Sequence, residues 1–125
     1  MRDIRKRLNC KQKHSNGENK TFILQKYIER PLLYRERKFD IRQFMIITGM
    51  HGRLRAYFYG EGYVRTSSYL FNLNDIKDHT IHLTNDAVQK ECEDYGCFEA
   101  GNKVSFNDLQ KYFSKTAPGK NFQIN

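Results

Sequence analysis

Long apolar runs, paired zinc-type cysteines and a glycine-rich phosphate loop are all missing from this chain of 125 residues, and each absence removes a class of reading. No stretch approaches the roughly 20 apolar residues of a membrane helix, and no apolar segment follows the basic start, so no membrane span or secretory leader is expected. Cysteine is scarce. Cys10, Cys92 and Cys97 are an odd number, which without a secretory signal reads as reduced thiols in the cytosol. Their spacings, Cys10-x3-His14 and Cys92-x4-Cys97, repeat no familiar pattern of paired ligands, so no structural metal is expected. There is no Gly-x4-Gly-Lys-Ser/Thr segment and no recognisable set of nucleophile, base and orienting residue. Glu91, Glu93 and Asp94 read as a charged surface, and no internal repeat or low-complexity segment is seen.

What is present is basic and aromatic. Hydrophobic residues make up 38% of the chain and aromatics 14%, enough for one modest core, so a single globular domain is expected from residue 21 onward. The net charge of +8 predicts attraction to polyanions without choosing among nucleic acid, anionic membrane, nucleotide phosphate and an acidic protein tail. Most of it sits in residues 1–20, a polar leader with seven Lys or Arg against two acids.

Residues 21–28 are β-branched and aromatic and stop before Pro31, which predicts a strand. Further strands are expected over residues 38–48, 53–59 and 63–66. The glycines of Gly49-Met50-His51-Gly52 and Gly60-Glu61-Gly62 mark the turns of an antiparallel meander. After a looser stretch, Ser105-Phe106-Asn107-Asp108 has the Ser-x-x-acid spacing of a capped helix start. Phe106, Leu109 and Phe113 would form that helix's apolar face. The fold class is therefore α+β, antiparallel strands with a flanking helix.

Lys38-Phe39-Asp40-Ile41-Arg42 alternates charge with apolar side chains, so a strand puts Lys38, Asp40 and Arg42 on one face and Phe39 and Ile41 on the other, against the helix layer. Two cations and a carboxylate on one extended face suit a phosphate-bearing ligand, although a wet sheet face with cross-strand ion pairs has the same pattern. The next residues, Phe44-Met45-Ile46-Ile47, are apolar on both faces, as in a strand whose inner end is fully buried. Arg65 adds a guanidinium able to fork onto a carboxylate or phosphate. His79-Thr80-Ile81-His82-Leu83-Thr84-Asn85 gathers polar side chains in a loop.

Taken in order, Gln25-Lys26-Tyr27-Ile28-Glu29-Arg30-Pro31-Leu32-Leu33, Arg37-Lys38-Phe39-Asp40-Ile41-Arg42, Glu61-Gly62-Tyr63-Val64-Arg65 and His82-Leu83-Thr84-Asn85 resemble the tubulin-tyrosine ligase-like family over roughly residues 21–115. The resemblance implies a fragment of an ATP-grasp domain, with residues 21–125 its central segment behind the leader. It also implies an ATP-dependent ligase that activates a protein carboxylate as an acyl-phosphate and joins an amino acid, tyrosine or glutamate, to tubulin or another acidic protein tail.

By the same resemblance, Gln25, Lys26, Tyr27 and Ile28 form the adenine hinge, and Lys38 and Asp40 contact ribose and phosphates. Arg42 stabilises charge on the transferred phosphoryl group, Thr84 and Asn85 close the nucleotide site, and Arg65 holds the carboxylate of the free amino acid. The expected cofactors are ATP and Mg2+, the metal's ligands lying outside this chain along with the glycine-rich phosphate cover. Family members that add glutamate tend to follow Leu-Thr-Asn with Tyr-Ser, where this chain has Asp86-Ala87. A cytoplasmic protein associated with the cytoskeleton or a cilium is implied, with no membrane partner and nucleic acid not the expected one. Two rival readings remain: a nucleic-acid-binding module using Arg53, Arg55, Tyr57 and Tyr59, and a catalytically inactive microtubule-binding fragment.

Overall fold

The computed structural model describes residues 15–18, 21 and 23–116. Most of the basic leader therefore lies outside the described residues. Two antiparallel sheets and one principal helix carry the structure. The larger sheet has the order β1-β2-β5-β6, formed by Leu33–Tyr34, Arg37–Arg42, Tyr63–Leu70 and Lys103–Ser105; the smaller is a hairpin of β3 (Met45–Met50) and β4 (Arg53–Phe58). Helices α1 (His79–His82) and α2 (Asp86–Gln89) and a 3-10 turn, Ala100–Asn102, follow β5, and α3 (Phe106–Thr116) closes the described chain.

The core is small. Tyr34, Val64, Val104, Leu109 and Phe113 are buried together, with Phe39, Phe106 and Tyr112 packed against them. Alternation explains the membership: Phe39 on β2, Val64 on β5 and Val104 on β6 share the sheet face that receives Leu109 and Phe113 of α3. The start of α3 follows the expected spacing. Ser105 Oγ accepts from the Asp108 backbone N–H at 3.1 Å and donates to Asp108 Oδ2 at 2.7 Å, satisfying one of the donors that a helix start leaves open.

Several expectations are corrected. Residues 23–28 of the first expected strand form no strand; no neighbouring strand borders them, so their backbone groups have no ladder to join. The expected strand over residues 38–48 is two strands interrupted at Gln43 and Phe44. Instead of a meander, β2 pairs directly with β5, and the β3–β4 hairpin is looped out between them. The apolar run from Phe44 to Ile47 is exposed, because the hairpin has no layer on either face among the described residues. Ile41 is half exposed, and Phe39 alone of the pair reaches the helix, its ring 6.1 Å from that of Phe113.

A bulge shapes the middle of the sheet. Arg37 pairs with Leu70 and Phe39 with Thr66, so Ser67, Ser68 and Tyr69 oppose Lys38 alone. Side chains replace the ladder bonds that this irregularity removes. The Lys38 N–H donates to Ser67 Oγ, the Ser68 N–H to Gln89 Oε1, and the carbonyls of Ser67 and Thr66 accept from Arg37 and Asn102. Arg37, Gln89 and Asn102 are almost completely buried for this purpose, and Arg37 is neutralised by Glu99 at 2.5 Å. Among the described residues no buried side-chain polar atom lacks a partner.

Candidate functional site

The sheet face opposite α3 carries the charges. Asp40 and Arg65 are direct cross-strand partners, and Arg65 is in turn opposite Lys103, so an acid and two bases form a row across β2, β5 and β6. The guanidinium of Arg65 grips both carboxylate oxygens of Asp40, Nε to Oδ1 at 2.8 Å and Nη2 to Oδ2 at 2.5 Å. This fork-to-fork contact, more than the opposing effect of burial, raises the Arg65 pKa above its ordinary value. Lys103 lies 3.7 Å from Asp86 Oδ2 and 5.5 Å from the centre of the Tyr63 ring. That contact places the start of α2 beside the row. Arg42, opposite Tyr63 in the next row, has its guanidinium 5.6 Å from the Phe44 ring centre.

Lys38 continues the face toward residues 23–28. Its ammonium donates to the Tyr27 hydroxyl at 3.2 Å and lies 4.6 Å from that ring's centre. Tyr27 also meets His82 at 2.7 Å, so a residue of the expected hinge, one of the charged strand and one of α1, a helix where a loop was expected over residues 79–85, join in one chain of contacts. Lys26, Tyr27, Ile28, Glu29 and Arg30 line an open surface concavity of about 560 Å³. Gln25 lies beside it in the same exposed segment. Thr84 is buried, and the Asn85 carbonyl accepts from the N–H groups of Val88 and Gln89 at the start of α2.

The structure thus brings together Tyr27 with Lys38, Asp40 with Arg65, and Asn85 with the charged row through its neighbour Asp86. Lys26 and Ile28 present backbone outside any ladder, as a base edge requires. An ammonium, two guanidinium groups and an unladdered hinge form a donor set that fits a nucleoside phosphate. Magnesium is different. Among the described residues no three His, Cys, Asp or Glu side chains come together as a metal seat, so no residue of this chain is assigned to the metal.

Sequence reasoning passed over Lys103, whose place beside Arg65 depends on a strand pairing 38 residues apart, and gave no role to the His82 ring. It also assigned Asp40 and Arg65 to different ligands although the structure pairs them. The alternating charges left a cross-strand ion pair open as a reading of this face, and the β2–β5 register decides which residues form it. The rival surface is real in geometry. Arg53, Arg55 and Tyr57 share one face of β4 and line a concavity of about 570 Å³ at the hairpin, while Tyr59 lies just past the strand.

Antiparallel strands with one charged face, one helix-covered face and a looped-out hairpin make an α+β architecture consistent with part of an ATP-grasp-like domain. The sequence pattern of the Tubulin-tyrosine ligase family matches residues 2–124, and the chain belongs to that family. Among curated proteins it is 49% identical over 76 residues to Tubulin glycylase 3B of Drosophila melanogaster, covering 61% of this chain and 10% of the relative. It is 44% identical over 110 residues to a protein monoglycylase of Homo sapiens, covering 85% and 13% respectively. A protein of Mus musculus named "Probable tubulin polyglutamylase TTLL9" is 43% identical over 98 residues, covering 78% and 21%. The chain therefore spans about a tenth to a fifth of the length of these relatives. No helix among the described residues is long and apolar enough to cross a membrane.

Proposed function

We propose that this chain is the central segment of an ATP-dependent ligase that joins an amino acid to tubulin or another acidic protein tail, with residues 21–125 forming the middle of the nucleotide-binding domain. The observation that carries the reading is the Asp40–Arg65 fork on a cationic sheet face beside an unladdered hinge. ATP, when bound, supplies the phosphoryl group that activates the acceptor carboxylate. The chain's own residues bind and orient. Lys26 and Ile28 offer backbone groups to the base edge, with Gln25 and Tyr27 completing the hinge. Lys38 meets phosphate oxygens and Asp40 the ribose, and Arg42 faces charge that develops on the phosphoryl group. Thr84 and Asn85 close the site from the start of α2.

Arg65 holds the carboxylate of the incoming amino acid, and its fork is kept in orientation by Asp40, with Lys103 as the neighbouring cation. Glycine is the amino acid the reading favours: two of the relatives are named as glycylases, and Asp86-Ala87 stands where glutamate-adding members tend to have Tyr-Ser. A cytoskeletal, cytoplasmic setting follows from such a substrate.

The test is a chimera in which the matching segment of the Drosophila glycylase is replaced by this chain's, assayed with radiolabelled glycine, glutamate and tyrosine on tubulin. Glycine transfer is expected, lost on Arg65→Ala, weakened on Asp40→Asn and kept on Arg53→Ala with Arg55→Ala. A folded chimera without transfer, or transfer indifferent to Arg65, overturns the reading. The 125-residue chain by itself is expected to bind ATP weakly and to show no turnover, since its described residues provide no seat for the metal.

The hairpin face of Arg53, Arg55 and Tyr57 supports a second reading, a single-stranded nucleic-acid site of cations and a stacking ring. Tight binding that falls steeply with salt and survives deletion of residues 1–20 would favour it.

A further inference from the structure

The Tyr27 hydroxyl stands between two partners 44 residues apart in the chain. On one side the Lys38 ammonium donates to it at 3.2 Å; on the other it lies 2.7 Å from Nδ1 of His82. The second nitrogen of that imidazole, Nε2, is 3.0 Å from the backbone carbonyl oxygen of Asp75. A carbonyl oxygen only accepts, so Nε2 carries the proton. In the neutral ring Nδ1 is then an acceptor, and it takes the hydroxyl hydrogen of Tyr27. The oxygen of Tyr27 is left with its lone pairs toward Lys38. Every polar contact in the chain has one donor and one acceptor, and the direction is fixed by the Asp75 carbonyl.

The ring is held as well as polarised. His82 is 7% exposed, and Phe71 and Tyr27 meet it edge-on with centroids 5.8 and 5.5 Å away, so rotation of the imidazole is blocked on two sides. Tyr27, by contrast, belongs to an exposed segment with no strand beside it. The buried histidine is thus a fixed point to which an otherwise unladdered hinge is tied, and the ammonium of Lys38 is tied to the hinge.

We propose that His82 and Tyr27 are positioning residues, forming a clamp in which the buried imidazole holds the Tyr27 hydroxyl and the hydroxyl holds the Lys38 ammonium where a nucleotide phosphate meets it. The clamp couples the base-binding end of the site to its phosphate-binding end. This rests on the nucleotide reading above and adds to it a role for a histidine that touches no ligand.

The experiment uses the full 125-residue chain. Nitrogen-15 spectra of the His82 ring at pH 8 first read the tautomer without nucleotide, and calorimetric titration with ATP at the same pH then reads the function. Wild type is expected to carry its ring proton on Nε2 and to bind ATP. Tyr27→Phe should shift the Nδ1 resonance and weaken ATP by about tenfold or more at pH 8, the effect of one hydrogen bond to a charged group. His82→Asn places an amide oxygen near the position of Nδ1, so it should bind ATP close to wild type at pH 8. A proton on Nδ1, or ATP binding by Tyr27→Phe equal to wild type, overturns the clamp while leaving the nucleotide site standing. Failure of wild type itself to bind ATP, with the Nε2 tautomer intact, overturns the nucleotide reading and the clamp's role with it.

Discussion

Gly62 is the residue at which a single methyl group should do the most damage to the charged face. A Cβ there would stand 2.5 Å from the Arg42 carbonyl oxygen, 2.5 Å from Gln43 Oε1 and 2.7 Å from Phe106 Cζ. The glutamine and phenylalanine ends can rotate away; the carbonyl belongs to the backbone of β2 and cannot. Overpacking of this kind costs about 1–3 kcal/mol, and the lower chain entropy of alanine in the unfolded state returns about 0.4–1 kcal/mol. Gly62→Ala should therefore lose about 1–2 kcal/mol, a fall of about 5–15 °C in melting temperature for a domain of this size. Because Arg42 pairs with Tyr63, the strain falls on the strand pair that sets the Arg42 position. The assay is thermal denaturation followed by circular dichroism, with Gly60→Ala as control, since nothing lies within 4 Å of a Cβ at that residue. If Gly62→Ala melts within about 2 °C of the control, the close approach of β5 to β2 is not as described.

Glu99→Ala leaves the buried Arg37 guanidinium without its carboxylate and should cost about 3–5 kcal/mol in urea denaturation; a loss below about 1 kcal/mol would show that the other partners of Arg37 suffice. Ser105→Ala removes the cap of α3 and should cost about 1 kcal/mol, with Ser105→Asp restoring most of it. Burial holds the Tyr34 hydroxyl above its ordinary value of 10.0. That contribution to stability is fully present below about pH 10 and is lost as pH rises through the folded value, so alkaline denaturation should come earlier in wild type than in Tyr34→Phe.

Features set by local rules were legible. The face shared by Lys38, Asp40 and Arg42 follows from the two-residue period of a strand, and α3 follows from Ser105, Asp108 and the Leu109–Phe113 spacing. Features set by distant partners were not. Residues 21–28 have every local mark of a strand, but a strand exists only beside another, and none borders the described part of that segment. Nothing in Ile46 or Ile47 says that the hairpin holding them is looped out. The burial of Arg37 depends on a glutamate 62 residues away, and the pairing of Asp40 with Arg65 on how β2 and β5 meet around a bulge.

The hairpin of β3 and β4 also bears on how the chain behaves in water. Met45, Ile47, Leu54 and Phe58 lie on one of its faces and are all exposed, and among the described residues no strand pairs with either of its outer edges. Arg53 and Arg55 point to the opposite face, so their repulsion does little to keep two such apolar faces apart. Sticky on one side and unpaired at both edges, the hairpin gives a concentrated solution of this chain a place to begin aggregating, copy adding to copy strand by strand. A lysine at Ile47 or Leu54 would be the smallest change to keep it dispersed.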